Sequence, residues 1–479
     1  MKKIVLPNGM KFLILERHQT PVFSAHIRFN VGSVDEQAGR TGISHFLEHL
    51  MFKGTKQIGS WDCDQERDIL DNIEKVLDAV EAERASINHD SHHEDKIREK
   101  EKLEELKSEF EKLQKKAGEF VVENEIWKIY QKNGAVGLNA STGQDSTQYY
   151  VSLPANKLEL WFFLESDRIA NPFFREFYSE RDVILEERRL RYENQPQGKL
   201  REAFFATAYV AHPYKWPVIG WSSDIAQLRE NVVMDYYKKY YSPNNATAVI
   251  VGDVKTEEVI QLAEKFFGPL PAQKLPKSNK TLEPAQAGER RVNVEFKANP
   301  AVLIGYHVPE FGQDDLYALD VLNSVLSDGR TGRFYKHLVQ EKRVAFVASS
   351  SIFFGRYPGL FIINAVPKGP TKTEELEEAI YQEIEKLMVE PPSDWELGKI
   401  RNNLQMEFFK GLESNAALAR QLAVYESLTG RWNYLAQVIE KERQVTKEDV
   451  MRVARKYLTK SNRTVATLVN STLLADAAK

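Results

Sequence analysis

The sequence predicts an α+β protein of two related domains, with a helical hairpin inserted into the first. Strand-like and helix-like stretches are mixed without the regular alternation of a doubly wound sheet. Val233-Met234, Lys239-Tyr240, Asn245 and Thr247 return later as Val450-Met451, Lys456-Tyr457, Asn462 and Thr464. Both sets read as helix, turn and strand in that order, as a duplicated unit would. Residues 64–120, finally, are far more charged than the chain on either side and carry narrow apolar seams.

The first domain is expected over 1–268. Residues 2–6 and 10–15 read as strands around Pro7-Asn8-Gly9, where glycine accepts the positive φ that a tight hairpin turn needs. Residues 21–29 form another strand, with Val22, Ser24, His26 and Arg28 on one face. After Gly42 the apolar period becomes helical, and Gly54 stops it. In the insert, Leu70, Ile73, Leu77 and Val80 form one seam, and Leu103, Leu106, Phe110, Leu113, Ala117 and Phe120 form another. Charged arms joined by the polar residues 88–95 suit an antiparallel hairpin or short coiled coil. His89, His92 and His93 fall in this bend, where solvent exposure accounts for them without a metal.

Beyond the insert, 137–139 and 147–153 read as strands, 157–168 as a helix ended by Pro172, and 179–192 as a further helix. Helix 233–241, strand 247–251 and helix 256–267 follow, closed by Gly268-Pro269. Residues 269–289, rich in Pro, Lys, Gln and Ala, suit a linker. The second domain, 290–479, offers strands 291–296 and 301–308, helices 315–326, 331–340 and 374–389, and one long helical region over 394–428.

Composition narrows the function. Sixty-five basic residues against sixty-nine acidic ones give no global attraction to a nucleic acid backbone. Cys63, the single cysteine, excludes an internal disulfide and a thiolate-rich metal cage. No apolar run reaches membrane-spanning length. Gly134 and Gly137 do not make a phosphate-binding fingerprint, so no ATP is implied. The first residues are basic but lack a secretory signal, so a cytoplasmic location is expected, or a periplasmic or other exported one if the chain is a trimmed mature form.

The sharpest local signal is His45-Phe46-Leu47-Glu48-His49. Imidazoles at i and i+4 emerge on one helix face and can hold Zn2+ through neutral nitrogens. Glu48 lies beside that face, near enough to take a proton from an attacking water, and the arrangement is the inverted zinc motif. A catalytic zinc needs a third protein ligand and an open position. Periodicity offers a shortlist of Glu180, Glu186 and Glu187 without choosing among them.

With these residues the chain resembles the pitrilysin/insulysin family of zinc metallopeptidases, including its processing peptidase branch. The likeness runs through Leu6-Pro7-Asn8-Gly9-Met10, residues 42–55 around the histidines, Asn139-Ala140-Ser141-Thr142 with Thr147 and Tyr149, and residues 180–187. It implies α+β domains, each a largely antiparallel sheet flanked by helices, and hydrolysis of extended or unfolded peptides in a chamber made by two such halves. It implies Glu187 as third zinc ligand, Glu180 as a supporting carboxylate, and Asn139–Thr142 as an edge strand that receives substrate. Packing is at least as fitting a role as contact for Thr147 and Tyr149.

Two departures from the family bear on mechanism. The insert lengthens the sequence between His49 and Glu187; a self-contained hairpin leaves its two ends close together. The family's substrate-contacting arginine and tyrosine are replaced by Val339 and Phe346, so a companion subunit supplying both is expected, giving a heterodimer. Arg343 is expected to be a solvated helix-end residue, and Phe346 to pack. The alternatives are a nonproteolytic assembly or maturation subunit of the same fold, and a peptide-binding protein with structural zinc.

Overall fold

The computed structural model describes residues 1–87, 93–277 and 281–470. Its strands, in chain order, are β1 (Lys2–Val5), β2 (Lys11–Glu16), β3 (Val22–Phe29), β4 (Val136–Thr142), β5 (Thr147–Pro154), β6 (Ala246–Gly252), β7 (Arg290–Phe296), β8 (Ala301–Val308), β9 (Ala345–Phe353), β10 (Gly359–Pro367) and β11 (Arg463–Asn470). They form two sheets, ordered β1-β2-β6-β3-β5-β4 and β7-β11-β8-β10-β9.

The repeated sequence pattern is a repeated topology. β6 lies between β2, to which it is parallel, and β3, to which it is antiparallel. β11 lies in the same way between parallel β7 and antiparallel β8. All other pairings are antiparallel. β6, with sequence Ala-Thr-Ala-Val-Ile-Val-Gly, is buried along its whole length, as a central strand covered on both faces must be.

Each sheet is covered partly by a helix from the other half. Pro196–Ala208 lays Leu200, Phe204 and Phe205 against Leu303, Leu360, Ile362 and Leu468 of the second sheet. The approach is close: a Cβ on Gly305 would meet the Phe204 ring at 2.4 Å. Asn415–Thr429 reciprocates, placing Leu418, Ala419, Leu422 and Ala423 on Leu13, Val249 and Val251 of the first sheet. Polar contacts join the same halves. Arg356 bonds Asp35 at 2.8 Å and the Asp145 carbonyl at 2.7 Å, and Lys3 reaches the buried Glu426.

The first six α-helices are α1 (Ile43–Leu50), α2 (Cys63–Ile87), α3 (His93–Gly118), α4 (Glu125–Lys132), α5 (Leu158–Ala170) and α6 (Phe177–Arg188). α2 and α3 are the expected hairpin, packed against one another with Ile73, Val80 and Ala117 buried in the seam. His89 and His92 lie outside the described residues, and His93 opens α3.

Several boundaries differ from the sequence reading. The expected continuous helix over 394–428 is two, Asp394–Glu413 and Asn415–Thr429, because Ser414 turns extended and its hydroxyl caps the second by accepting from Ala417 N–H. The strand expected at 137–139 continues to Thr142, since Ala140, Ser141 and Thr142 pair with Tyr149, Gln148 and Thr147. α6 starts at Phe177 and passes into a π-helical turn over Arg189–Glu193. The helix expected at 331–340 is a π-type helix over Phe334–Glu341. Among the described residues no helix is long and apolar enough to cross a membrane.

Candidate metal centre

α1 owes its place to both ends of its sequence. Gly42, at φ 87°, passes so close to Ile219 that a Cβ would meet that carbonyl oxygen at 2.4 Å. The buried Glu36 carboxylate accepts from Gly42 N–H at 2.8 Å and Ser44 N–H at 2.9 Å, filling donors that a helix start leaves open. Phe46, Leu47 and Leu50 anchor the helix in the core and leave His45 and His49 on the opposite face.

α6 crosses that face and brings the shortlisted carboxylates to it in different ways. Glu187 Oε1 lies 3.9 Å from His45 Nε2, and its Oε2 lies 3.6 Å from His49 Nε2. Glu180 Oε1 instead meets His49 Nδ1 at 2.8 Å, with its other oxygen 2.6 Å from Lys53 Nζ. Glu186 points away, pairing with Arg189 in solvent. The structure therefore brings His45, His49 and Glu187 together, puts Glu180 behind His49, and leaves Glu186 out.

Among the described residues, His45, His49 and Glu187 are a set whose ligand atoms all lie within 4.8 Å of one another. The donors fit a cation. The ionised Glu180 can accept only from a protonated His49 Nδ1, and in the neutral imidazole that leaves the Nε2 lone pair facing Glu187. Both nitrogen-to-carboxylate distances exceed a hydrogen bond, and nitrogen and oxygen donors at bonds of about 2.0–2.2 Å are zinc's usual set. Arg191 holds Glu187 from the solvent side at 2.7 Å.

Electrostatics separates the two imidazoles. Burial, helped by its neighbour His49 and by Arg191, drops His45 to about 3, so it stays neutral. Burial acts in the same direction on His49, but the Glu180 hydrogen bond and the surrounding carboxylates outweigh it and raise that pKa. Glu180 is itself held at about 2: burial opposes ionisation, and the bonds from His49 and Lys53 overcome it. Burial raises the Glu48 carboxyl, against a Thr142 hydrogen bond that lowers it.

Glu48 sits next to this cluster, buried, and accepts from Thr142 Oγ1 at 2.6 Å. Thr142 ends β4, an edge strand of the first sheet. Along β4, Asn139 is exposed, Ala140 is buried, and Ser141 accepts from Gln148 Nε2 at 2.7 Å. Thr147 and Tyr149 are packed: the first bonds the Val31 carbonyl and the second the Tyr241 hydroxyl, both in the interior. In the second half, Val339 packs at the edge of the core, whereas Phe346 is 73% exposed. The expectation that Phe346 packs is thus corrected. It is the second residue of β9, the edge strand of the second sheet.

Sequence reasoning missed Arg175. It is fully buried, bonding Glu66 at the start of α2 and the carbonyls of Lys53, Thr55 and Ile58 just beyond α1. It thereby ties the exit of the histidine helix to the entry of α6. Its only sequence signal is a lone basic residue among Phe173, Phe174 and Phe177.

Two family models match the chain: "Insulinase (Peptidase family M16)" over residues 11–76 and "Peptidase M16 inactive domain" over residues 228–404. Zinc protease PqqE of Helicobacter pylori is 30% identical over 471 residues, covering 95% of this chain and 90% of its own. The chain belongs to the M16 peptidase family. Among solved M16-like structures, a protease from Helicobacter pylori superposes with a TM-score of 0.80 at 28% identity, covering 98% of this chain and 99% of the other. The periplasmic protease PqqL of Escherichia coli shares the fold at a TM-score of 0.70 and 17% identity; this M16 chain matches over 99% of its length but over 48% of PqqL. The insulinase match ends inside α2, so it takes in His45, Glu48 and His49 and stops before Glu187.

Proposed function

We propose that this protein is a zinc-dependent endopeptidase that hydrolyses extended or unfolded peptides, working as the zinc-bearing subunit of a heterodimer. The observation that carries the reading is the convergence of His45, His49 and Glu187 beside a buried Glu48 that is hydrogen-bonded to the end of an edge strand.

His45, His49 and Glu187 would hold the ion. When bound, zinc polarises a carbonyl and makes a water acidic. Glu180 keeps His49 in the tautomer that offers Nε2 and fixes its ring plane. β4 presents an unpaired backbone edge on which a peptide can be laid as a further strand, so that affinity comes from main-chain bonds. A scissile bond held along β4 near Thr142 lies beside Glu48. Glu48 takes the proton of the attacking water and returns it to the leaving amine. Its buried setting raises its affinity for that proton, while the Thr142 hydroxyl orients it.

The companion follows from Val339 and Phe346, neither of which provides a guanidinium or a phenol. The fold likeness to half of a longer chain supports a paired arrangement. A second reading, a nonproteolytic assembly subunit, is favoured by the inactive-domain match over 228–404. Digestion of a peptide library by the zinc-loaded chain, alone and mixed with a co-purified companion, separates them. Cleavage abolished by a chelator is expected; a zinc-loaded chain that cuts nothing in either setting supports the second reading.

A further inference from the structure

Next to the three-donor cluster lies a cavity of about 300 Å³ to which the chemistry above gives no role. Its lining takes in His45, Glu187 and Thr142 together with Phe205, Trp216 and Ile219. That wall is firm, because the Trp216 indole N–H donates to the Ser33 carbonyl at 2.9 Å and Phe205 belongs to the core between the two sheets. Thr142, the last residue of β4, thus shares the lining with His45 and Glu187 of the cluster.

Its charges are unevenly committed. Of the two carboxylates lining it, Glu187 pairs with Arg191 at 2.7 Å, and Glu202 accepts from the buried Arg188 at 2.6 Å. Arg201, also in the lining, is exposed and spreads its guanidinium over the Phe205 ring, 4.9 Å from the centroid. The Tyr192 phenol in the same lining feels Arg201, Arg188 and Arg191 against Glu202. Arg191 and Arg188 are thus committed to Glu187 and Glu202, and among the described residues Arg201 is the cation of this lining with no carboxylate partner, beside aromatic walls.

Building on the peptidase reading, we propose that this cavity receives the substrate side chain adjacent to the scissile bond, and that Arg201 makes it selective for a carboxylate-bearing side chain over a cationic one. The methylene stem of a glutamate can lie against Phe205 and Trp216 while its carboxylate meets the guanidinium fork of Arg201. A lysine ammonium in the same place would face like charge with no free carboxylate to meet it.

The test uses the zinc-loaded full chain, with its companion if one co-purifies, and peptides carrying Glu, Gln or Lys at either residue flanking the cleaved bond. Wild type is expected to prefer Glu over Lys roughly tenfold in kcat/KM at one of the two positions, attraction and repulsion adding. Salt should shrink that ratio, and R201E should invert it. A Glu-to-Lys ratio that is the same in wild type and R201E, or a wild-type preference for Lys, overturns the proposal and leaves the peptidase reading standing. A wild type that cuts none of the peptides overturns the peptidase reading and this pocket with it.

Discussion

The Thr142 hydroxyl donates to Glu48 Oε2 at 2.6 Å. The end of an edge strand and the acid on the histidine helix are thereby joined, and in the proposed peptidase a peptide laid on the strand would reach the base. Replacing Glu48 by Gln keeps the shape and the packing but removes the proton acceptor. Peptide turnover should fall by about 10²–10⁴-fold with zinc content unchanged, measured as kcat alongside metal analysis. Undiminished turnover in the loaded variant would remove Glu48 from its role.

Glu180 touches His49 and Lys53, and Glu187 alone of the shortlist faces both imidazole Nε2 atoms. Replacing Glu180 by Gln should therefore weaken zinc binding by about 10–100-fold without abolishing it, read by competition with a coloured chelator. An unchanged affinity would mean that the Glu180 bond does not orient His49 for the metal.

Arg175 and Glu66 are both fully buried and bonded to one another. Arg175→Leu leaves the Glu66 carboxylate and three backbone carbonyls without their donor, and should cost about 3–5 kcal/mol in urea unfolding of the full chain. Arg175→Leu combined with Glu66→Leu should recover part of that loss, since no buried charge is then stranded. A single variant as stable as wild type would show that this junction does not hold α6 to the loop after α1.

His26, inside the first sheet, is pushed down to about 4 by burial and by Arg28 and Arg420, against a Gln148 hydrogen bond that raises it. Its folded-state pKa lies below its unfolded value of about 6.5. The unfolded chain therefore binds the proton first, and stability is full above about pH 6.5 and falls as pH drops toward 4, by up to about 3 kcal/mol. His26→Gln should make that slope shallower without removing it, because the buried His45 and His212 are pushed down in the same way and contribute across the same window. An equal slope in the variant would place the acid sensitivity elsewhere.

The parts of the site legible in the sequence are those that repeat at short range. His45 and His49 share a face by helical period alone, and the strand-turn-helix echo at 233–247 and 450–464 marks the duplicated topology. The choice among Glu180, Glu186 and Glu187 was not legible by period, because it depends on how α6 crosses α1, and that crossing is set by Arg175, Glu66 and the carbonyls after α1, far apart in the chain. The helix Pro196–Ala208 was not expected, and Asn415–Thr429 was expected only as part of a longer helical region; each buries its apolar face on the other half's sheet, a partner that no local pattern names.

Zinc per chain, measured by atomic spectroscopy after dialysis of wild type, Glu48→Gln and Glu187→Gln, tests the centre most directly. The expected result is one equivalent in wild type and in Glu48→Gln and well under one in Glu187→Gln. A wild type that retains no zinc, or a Glu187→Gln variant that keeps a full equivalent, would contradict the three-ligand site on which the rest depends.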